Sequence, residues 1–286
     1  MDKMIMTLFA RTPVHVGAGN SVGAVDAPIQ RERHTRIPII PGSSLKGVLA
    51  DLFNDENHQR TADGKWLFGQ DDQNKDAAAG ALLIGEARVV AFPVRSAKGM
   101  FAWITCPLAL RRFKRETGAT FDVDDIPAET AQATDHVSIK GQIVLEEYNF
   151  TVTAPPPQDV IDALTPLVPA DEVWSGIARQ LVIVPDDIFM HFCERACEVV
   201  TRIKIDDMTG TVSDGALFNQ EQVPSETLFY TVIMAEKENG KKENARTAAE
   251  ALKTVKDQVE QIGWLQIGGD ATIGLGFCSA HCQEVK

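Results

Sequence analysis

Between Val25 and Leu49 the chain reads VDAPIQRERHTRIPIIPGSSLKGVL, a carboxylate followed by a basic cluster and a helix start. Asp26 comes first, then Arg31, Arg33, His34 and Arg36, then the Pro-bounded apolar run Ile37 to Ile40 and Gly42-Ser43-Ser44-Leu45-Lys46-Gly47. Leu45, Val48, Leu49 and Leu52 recur at helical spacing, which predicts an amphipathic helix opening at the serines with a serine as N-cap. Free backbone N–H groups and a lysine at a helix start make a seat for phosphate. A carboxylate upstream, brought beside a phosphodiester held there, is a candidate for chemistry on RNA.

The elements around this stretch must do the positioning. Met4 to Ala10 is predicted as a strand, ended by Thr12-Pro13, and the glycine-rich loop Val16-Gly17-Ala18-Gly19 follows. After the helix from Ser43 to Phe53, residues 54–80 are polar and Gly/Ala-rich around Trp66-Leu67-Phe68, the composition of an inserted lid. Leu82 to Val94 and Met100 to Thr105 are predicted strands, and Pro107 starts a helix that ends at Gly118. Residues 119–200 form an inserted helical and strand region. In it, Asp186 or Asp187 caps a helix whose stripe is Phe189, Phe192, Cys193, Ala196 and Val200. A Gly-punctuated hairpin spans 205–224. Leu228 to Ala235, a helix from Asn244 to Ile262 bounded by Gly263, and Trp264 to Ile267 make a late β-α-β unit. Strand–helix–strand early and late is the order of a ferredoxin-like (RRM-like) α+β sheet, here a single domain over residues 1–286 with large insertions.

Composition sets limits on the function. The 286 residues are ample for a core, and 44% hydrophobic content is ordinary for a globular chain. The longest apolar runs are too short to span a bilayer, and no secretory pattern opens the chain, so a cytoplasmic location with no membrane partner is expected. Five scattered cysteines (106, 193, 197, 278 and 282) argue against a disulfide framework. Their x3 spacings are wrong for a zinc knuckle, so inert thiols are the default. A net charge of −12 speaks against nucleic acid until the charge is mapped. Residues 11–50 are net basic, and 86–115 carry Arg88, Arg95, Lys98, Arg111, Arg112, Lys114 and Arg115 against one acid. These stretches make either one cationic face or merely solvated helix surfaces.

Several separated segments then agree. They are His15-Val16-Gly17-Ala18-Gly19; the string from Asp26 to Thr35; Pro41 to Gly47; Phe92 to Ser96 with Lys98 to Thr105; and Ile267-Gly268-Gly269-Asp270-Ala271-Thr272-Ile273-Gly274-Leu275-Gly276. Ile205-Asp206, Thr209-Gly210 and Gly215 to Glu221 join them. In this order the chain resembles the RAMP proteins of CRISPR systems, and among them the repeated backbone subunits of type III-B (Cmr) effectors. That resemblance implies a RAMP core with a lid and a β-hairpin thumb. It also implies copies of the chain stacked in a helical filament on a guide crRNA with other Cmr subunits. Each copy would cut the complementary target RNA at a fixed interval. It places the catalytic aspartate at Asp26, guide binding at Ser43, Ser44 and Lys46, and the glycine-rich loop at Gly268, Gly269, Gly274 and Gly276. Two alternatives stay open: a non-cleaving guide-RNA scaffold, and a guide-processing ribonuclease that acts alone without metal.

The chemistry has competing explanations at each residue. A carboxylate of ordinary pKa, near ~4, is a poor general base at neutral pH. Asp26 is therefore expected to help hold a loosely bound Mg²⁺ or Mn²⁺ on the scissile phosphate. The competing reading is an Asx-turn before Ala27-Pro28, which pattern alone favours and the resemblance reverses. His15 is either a proton shuttle or a structural or phosphate-bonding histidine; His34 is an RNA or neighbour contact. Arg31, Arg33, Arg36 and Lys46 are expected to position phosphates without reading bases, or else to salt-bridge subunits. In the thumb, Met208 or Leu217 would wedge between bases, or simply pack on a neighbour. The Gly268–Gly276 loop would offer N–H groups to phosphates.

Overall fold

A computed structural model describes residues 2–19, 23–70, 78–203, 205–206, 208–212, 217–237 and 246–285. Its principal strands are Asp2–Ala10 (β1), Ala87–Arg95 (β2), Phe101–Thr105 (β3), Glu198–Arg202 (β4), Phe218–Gln222 (β5), Leu228–Ala235 (β6), Trp264–Gln266 (β7) and Phe277–Glu284 (β8). The helices that matter for the site are Gly42–Asp51 (α1), Ala62–Phe68 (α2), Pro107–Thr117 (α3), Asp186–Arg195 (α4) and Ala248–Ile262 (α5).

β1 is apolar almost throughout because both of its faces are buried. Met4, Met6 and Leu8 point to the side covered by α1 and α5, where they join Leu45, Leu49, Val255 and Val259. Ile5 and Phe9 point to the other side and meet Trp103, Leu110, Phe113 and Trp174. Strands pair antiparallel in the order β8-β1-β6-β2. Each helix thus crosses over one strand: β1-α1-β2 straddles β6, and β6-α5-β8 straddles β1. That is the ferredoxin-like α+β order expected from the sequence. The sheet continues through β3 to Leu181–Ile183 and the strands within 130–154. Residues 158–180 close its second face with Val160, Leu164 and Trp174.

Four boundaries differ from those expected. The run Leu82 to Val94 is broken at Gly85, whose N–H donates to the Val232 carbonyl at 3.0 Å, so two strands rather than one meet β6. The helix with the Phe189 stripe stops at Arg195, and Val200 lies in β4, because the β-branched run Val199-Val200-Thr201 prefers extended backbone. α5 is capped by Thr247, which shares a reciprocal capping box with Glu250; Asn244 lies outside the described residues. The hairpin expected at 205–224 begins at Glu198, with Glu198 opposite Gln222 and Arg202 opposite Phe218. Residues 213–216 and 71–77, parts of the thumb and lid expectations, also lie outside the described residues.

Candidate functional site

β5 is the rail on which the N-terminal motif is mounted. The backbone N–H of Asn219 donates to Asp26 Oδ2 at 2.8 Å, and Ala27 pairs in parallel with Gln220. Two residues along, the Glu221 carbonyl lies 2.7 Å from His15 Nδ1. The Glu221 carboxylate accepts from Arg31 at 2.7 Å and from the Ile29 N–H at 3.0 Å. Asp26 and His15 are therefore anchored to positions two residues apart on one strand, although eleven positions separate them in the chain.

Asp26 is exposed, with one carboxylate oxygen held by Asn219. That bond crosses to a distant strand, so Asp26 is not merely closing a local turn ahead of Pro28. His15 is 8% exposed. The carbonyl it faces can only accept, so in the neutral ring the proton sits on Nδ1 and Nε2 keeps the lone pair. Gly17 lies against that edge, where a Cβ would come 3.0 Å from Nε2.

The basic cluster divides sharply. Arg31 has a buried side chain that also donates to the carbonyls of Arg36 and Cys193 at 2.6 and 2.8 Å. The expectation that it positions phosphate is corrected, because all its donor directions face the protein. Arg36 sits on the rim, 3.5 Å from Glu194 and half-exposed. His34 is exposed beside Arg112 at 3.2 Å. Arg33 is exposed and makes no ion pair among the described residues. Beneath this turn Glu32 is buried; burial works to raise its pKa, but the Thr35 hydroxyl and the Arg112 guanidinium hold it below the ordinary value.

The basic groups of residues 86–115, which the sequence left as part of one cationic face or as solvated helix surface, are paired within the chain. Arg88 meets Glu86, Arg95 meets Glu146, Arg111 meets Asp125, Arg112 meets Glu32, Lys114 meets Asp122 and Arg115 meets Glu116, all within 3.2 Å. Lys98 donates to the carbonyls of Asp135 and Ser138. Basic runs in the sequence meet acidic ones in space.

α1 starts one residue earlier than expected. Pro41 is the N-cap and no side chain caps the helix, so the serine N-cap is corrected. Pro41 sets the extended backbone, and its carbonyl accepts from the N–H groups of Ser44 and Leu45. Ser43 and Lys46 are exposed on the first turns, and Ser44 is half-buried. Gly42 is dictated by packing: a Cβ there would lie 2.4 Å from the Ile84 carbonyl.

The glycine-rich loop faces its own chain more than a ligand. A Cβ at Gly268 would lie 2.2 Å from the His15 carbonyl, and one at Gly276 would lie 2.0 Å from that of Ile267. The N–H groups of Gly269, Gly274 and Gly276 donate to His15, Ala271 and Pro13. The loop thus clamps the His15 segment, and its expected offer of those N–H groups to phosphate is corrected. Asp270, within it, accepts from Gln220 at 2.5 Å and ties the loop to β5.

At the thumb tip Asp206 accepts from the N–H groups of Met208 and Thr209 at 2.9 Å, leaving Met208 94% exposed. Leu217 is also exposed, so neither apolar candidate packs on the chain itself. Asn219, Glu221 and Asp270 carry the site's geometry but had no assigned role in the sequence. Their only signal was membership in the thumb and glycine motifs, since their partners lie far away along the chain. The cysteines are free thiols; burial pushes Cys197, Cys278 and Cys282 up to about 12.

Residues 7–279 match the family model of the RAMP superfamily. The chain is 34% identical to a Pyrococcus furiosus protein named CRISPR system Cmr endoribonuclease Cmr4, over 100% of this chain and 97% of that one. The crystal structure of oligomeric Cmr4 from Pyrococcus furiosus matches with a TM-score of 0.76 and 28% identity, covering 100% of this chain and 99% of that one. A chain in the type III-B Cmr-beta complex bound to cognate target RNA shares the fold, with a TM-score of 0.74 and 20% identity over 99% of this chain and 97% of that one. No described helix is long and apolar enough to cross a membrane. With a family model spanning nearly all of it and a relative at 34% identity aligned end to end, the chain belongs to the RAMP superfamily, its full-length likeness being to the Cmr4 backbone subunits of type III-B complexes.

Proposed function

We propose that this chain is a guide-crRNA-binding filament subunit of a type III-B effector that cleaves complementary target RNA at regular intervals through Asp26. Its partners in this reading are the guide, the target, copies of itself and other Cmr subunits. The observation that carries it is the placement of Asp26: an exposed carboxylate pinned by Asn219 at the root of an apolar-tipped hairpin.

RNA cleavage by the neighbouring 2′-hydroxyl needs the attacking oxygen, phosphorus and leaving oxygen in line, which A-form geometry does not supply. Holding one nucleotide in that pose is a large part of the rate. Met208 at the thumb tip would disturb stacking, while Arg33, Arg36, Ser43 and Lys46 hold phosphates on either side. The buried His15 supports this arrangement by bracing β5 against the glycine loop.

Among the described residues no group of three His, Cys, Asp or Glu side chains could hold a metal ion. The residues present fit only the loosest mode, one carboxylate from Asp26 completed by RNA oxygens, which Mg²⁺ and Mn²⁺ accept. Such an ion, when bound, would neutralise charge developing on the phosphate.

Asp26→Asn in the assembled complex tests the reading. Guide and target binding are expected to persist while cutting falls on the order of a hundredfold or more. Regularly spaced products from the variant would overturn it. Chelation followed by Mg²⁺ or Mn²⁺ addition tests the metal separately.

A further inference from the structure

The segment between α1 and β2 carries an arginine, Arg60, that lies outside the Asp26 site. Arg60 runs across α2 and lines a cavity of about 590 Å³ that Lys46 also lines. Its path is built for it. A Cβ at Gly64 would lie 2.5 Å from Arg60 Cγ, so the missing side chain makes room for the arginine stem. The guanidinium carbon then lies 5.9 Å from the centre of the Phe68 ring, which lines the same cavity. An aromatic face beneath a guanidinium limits its motion and leaves its edge donors free.

Among the described residues neither Arg60 nor Lys46 has an ion-pair partner, unlike the cations of residues 86–115. Two unpaired cations thus face one cavity, against the single exposed carboxylate of Glu236 among its described lining residues. In a chain with net charge −12, these two unpaired cations are distinguished by lining the same cavity.

We propose that Arg60 and Lys46 together form a seat for the RNA phosphodiester backbone, with Arg60 as its fork-shaped member and Phe68 as the platform that aims it. The inference rests on the guide-binding reading of Lys46 and extends it to the lid. Arg60 positions RNA and takes no part in bond cleavage.

The test is single-stranded RNA binding by the full-length chain across a salt series, comparing Arg60→Gln, Arg60→Lys and Lys65→Gln. Lys65 is exposed on α2, the helix that Arg60 crosses, and is not among the residues lining the cavity. Arg60→Gln is expected to weaken binding by roughly three- to tenfold at low salt and to reduce the slope of log K against log salt by about 0.7, one phosphate contact on a single strand. Arg60→Lys is expected to restore the slope, which separates lost charge from a loosened α2. Lys65→Gln is expected to change neither quantity. An unchanged slope in Arg60→Gln, or an equal drop in Lys65→Gln, would overturn the proposal. In the assembled complex, Arg60→Gln should cut bound target at unaltered positions. Asp26→Asn should instead bind RNA normally and fail to cut, so the two readings fail independently.

Discussion

Arg31 ends with its guanidinium against Glu221 and two carbonyls, while Arg33, two positions later, reaches solvent. Nothing in the string Arg-Glu-Arg-His-Thr-Arg distinguishes them. The difference comes from β5, which puts a carboxylate beneath one arginine and not the other. Removing one partner of a buried ion pair strands the other charge, at a cost of about 3–5 kcal/mol. Arg31→Met is therefore expected to lower the free energy of unfolding in urea by roughly that amount, and Arg33→Gln by less than about 0.5 kcal/mol. Equal midpoints for both variants would show that Arg31 is not part of the scaffold.

At the level of elements, the glycine loop shows how one motif divides its roles. Gly276 has φ +79° and a neighbouring carbonyl where a Cβ would sit, whereas Gly274 has φ +85° and open space around it. A left-handed backbone alone costs a non-glycine residue about 1–2 kcal/mol. Gly274→Ala is expected to cost about that, and Gly276→Ala distinctly more because the Ile267 carbonyl must also shift; thermal unfolding of the pair checks the order. The helices were legible to unequal degrees. α1 and α5 announce themselves by apolar periodicity and end near where expected. Their starts differ from the expected ones because a proline preceding serines, and a Thr-x-x-Glu box, outweigh the first polar residue met. α4 ends before the expected stripe does because that apolar stripe carries over into a partly exposed strand, a change of backbone that periodicity does not register.

For the whole molecule, the acidic balance of the chain is what decides where RNA can lie. All but one of the cations of residues 86–115 pair with carboxylates of the same chain, which offsets their charge locally, and Lys98 directs its donors to two backbone carbonyls. Arg33, Lys46 and Arg60 are among the cations left unpaired among the described residues. In the salt series, Arg33→Gln and Lys46→Gln are each expected to reduce the slope by about 0.7, while Arg111→Gln and Lys114→Gln leave it unchanged. A slope that falls for Lys114→Gln would restore the broader cationic face.

By itself the sequence determined the ferredoxin-like order of elements, because helical and strand periodicities are local and each must bury its apolar face. It also marked Asp26, through a string that joins a carboxylate, arginines and a helix start. Only the tertiary structure decided which of those groups is free to act. Glu221 meets Arg31 across 190 positions and Asn219 meets Asp26 across 193, and contacts at such separation leave no local pattern to read. Charge behaves the same way: its sign is written in each residue, but its neutralisation depends on which strand folds beside it.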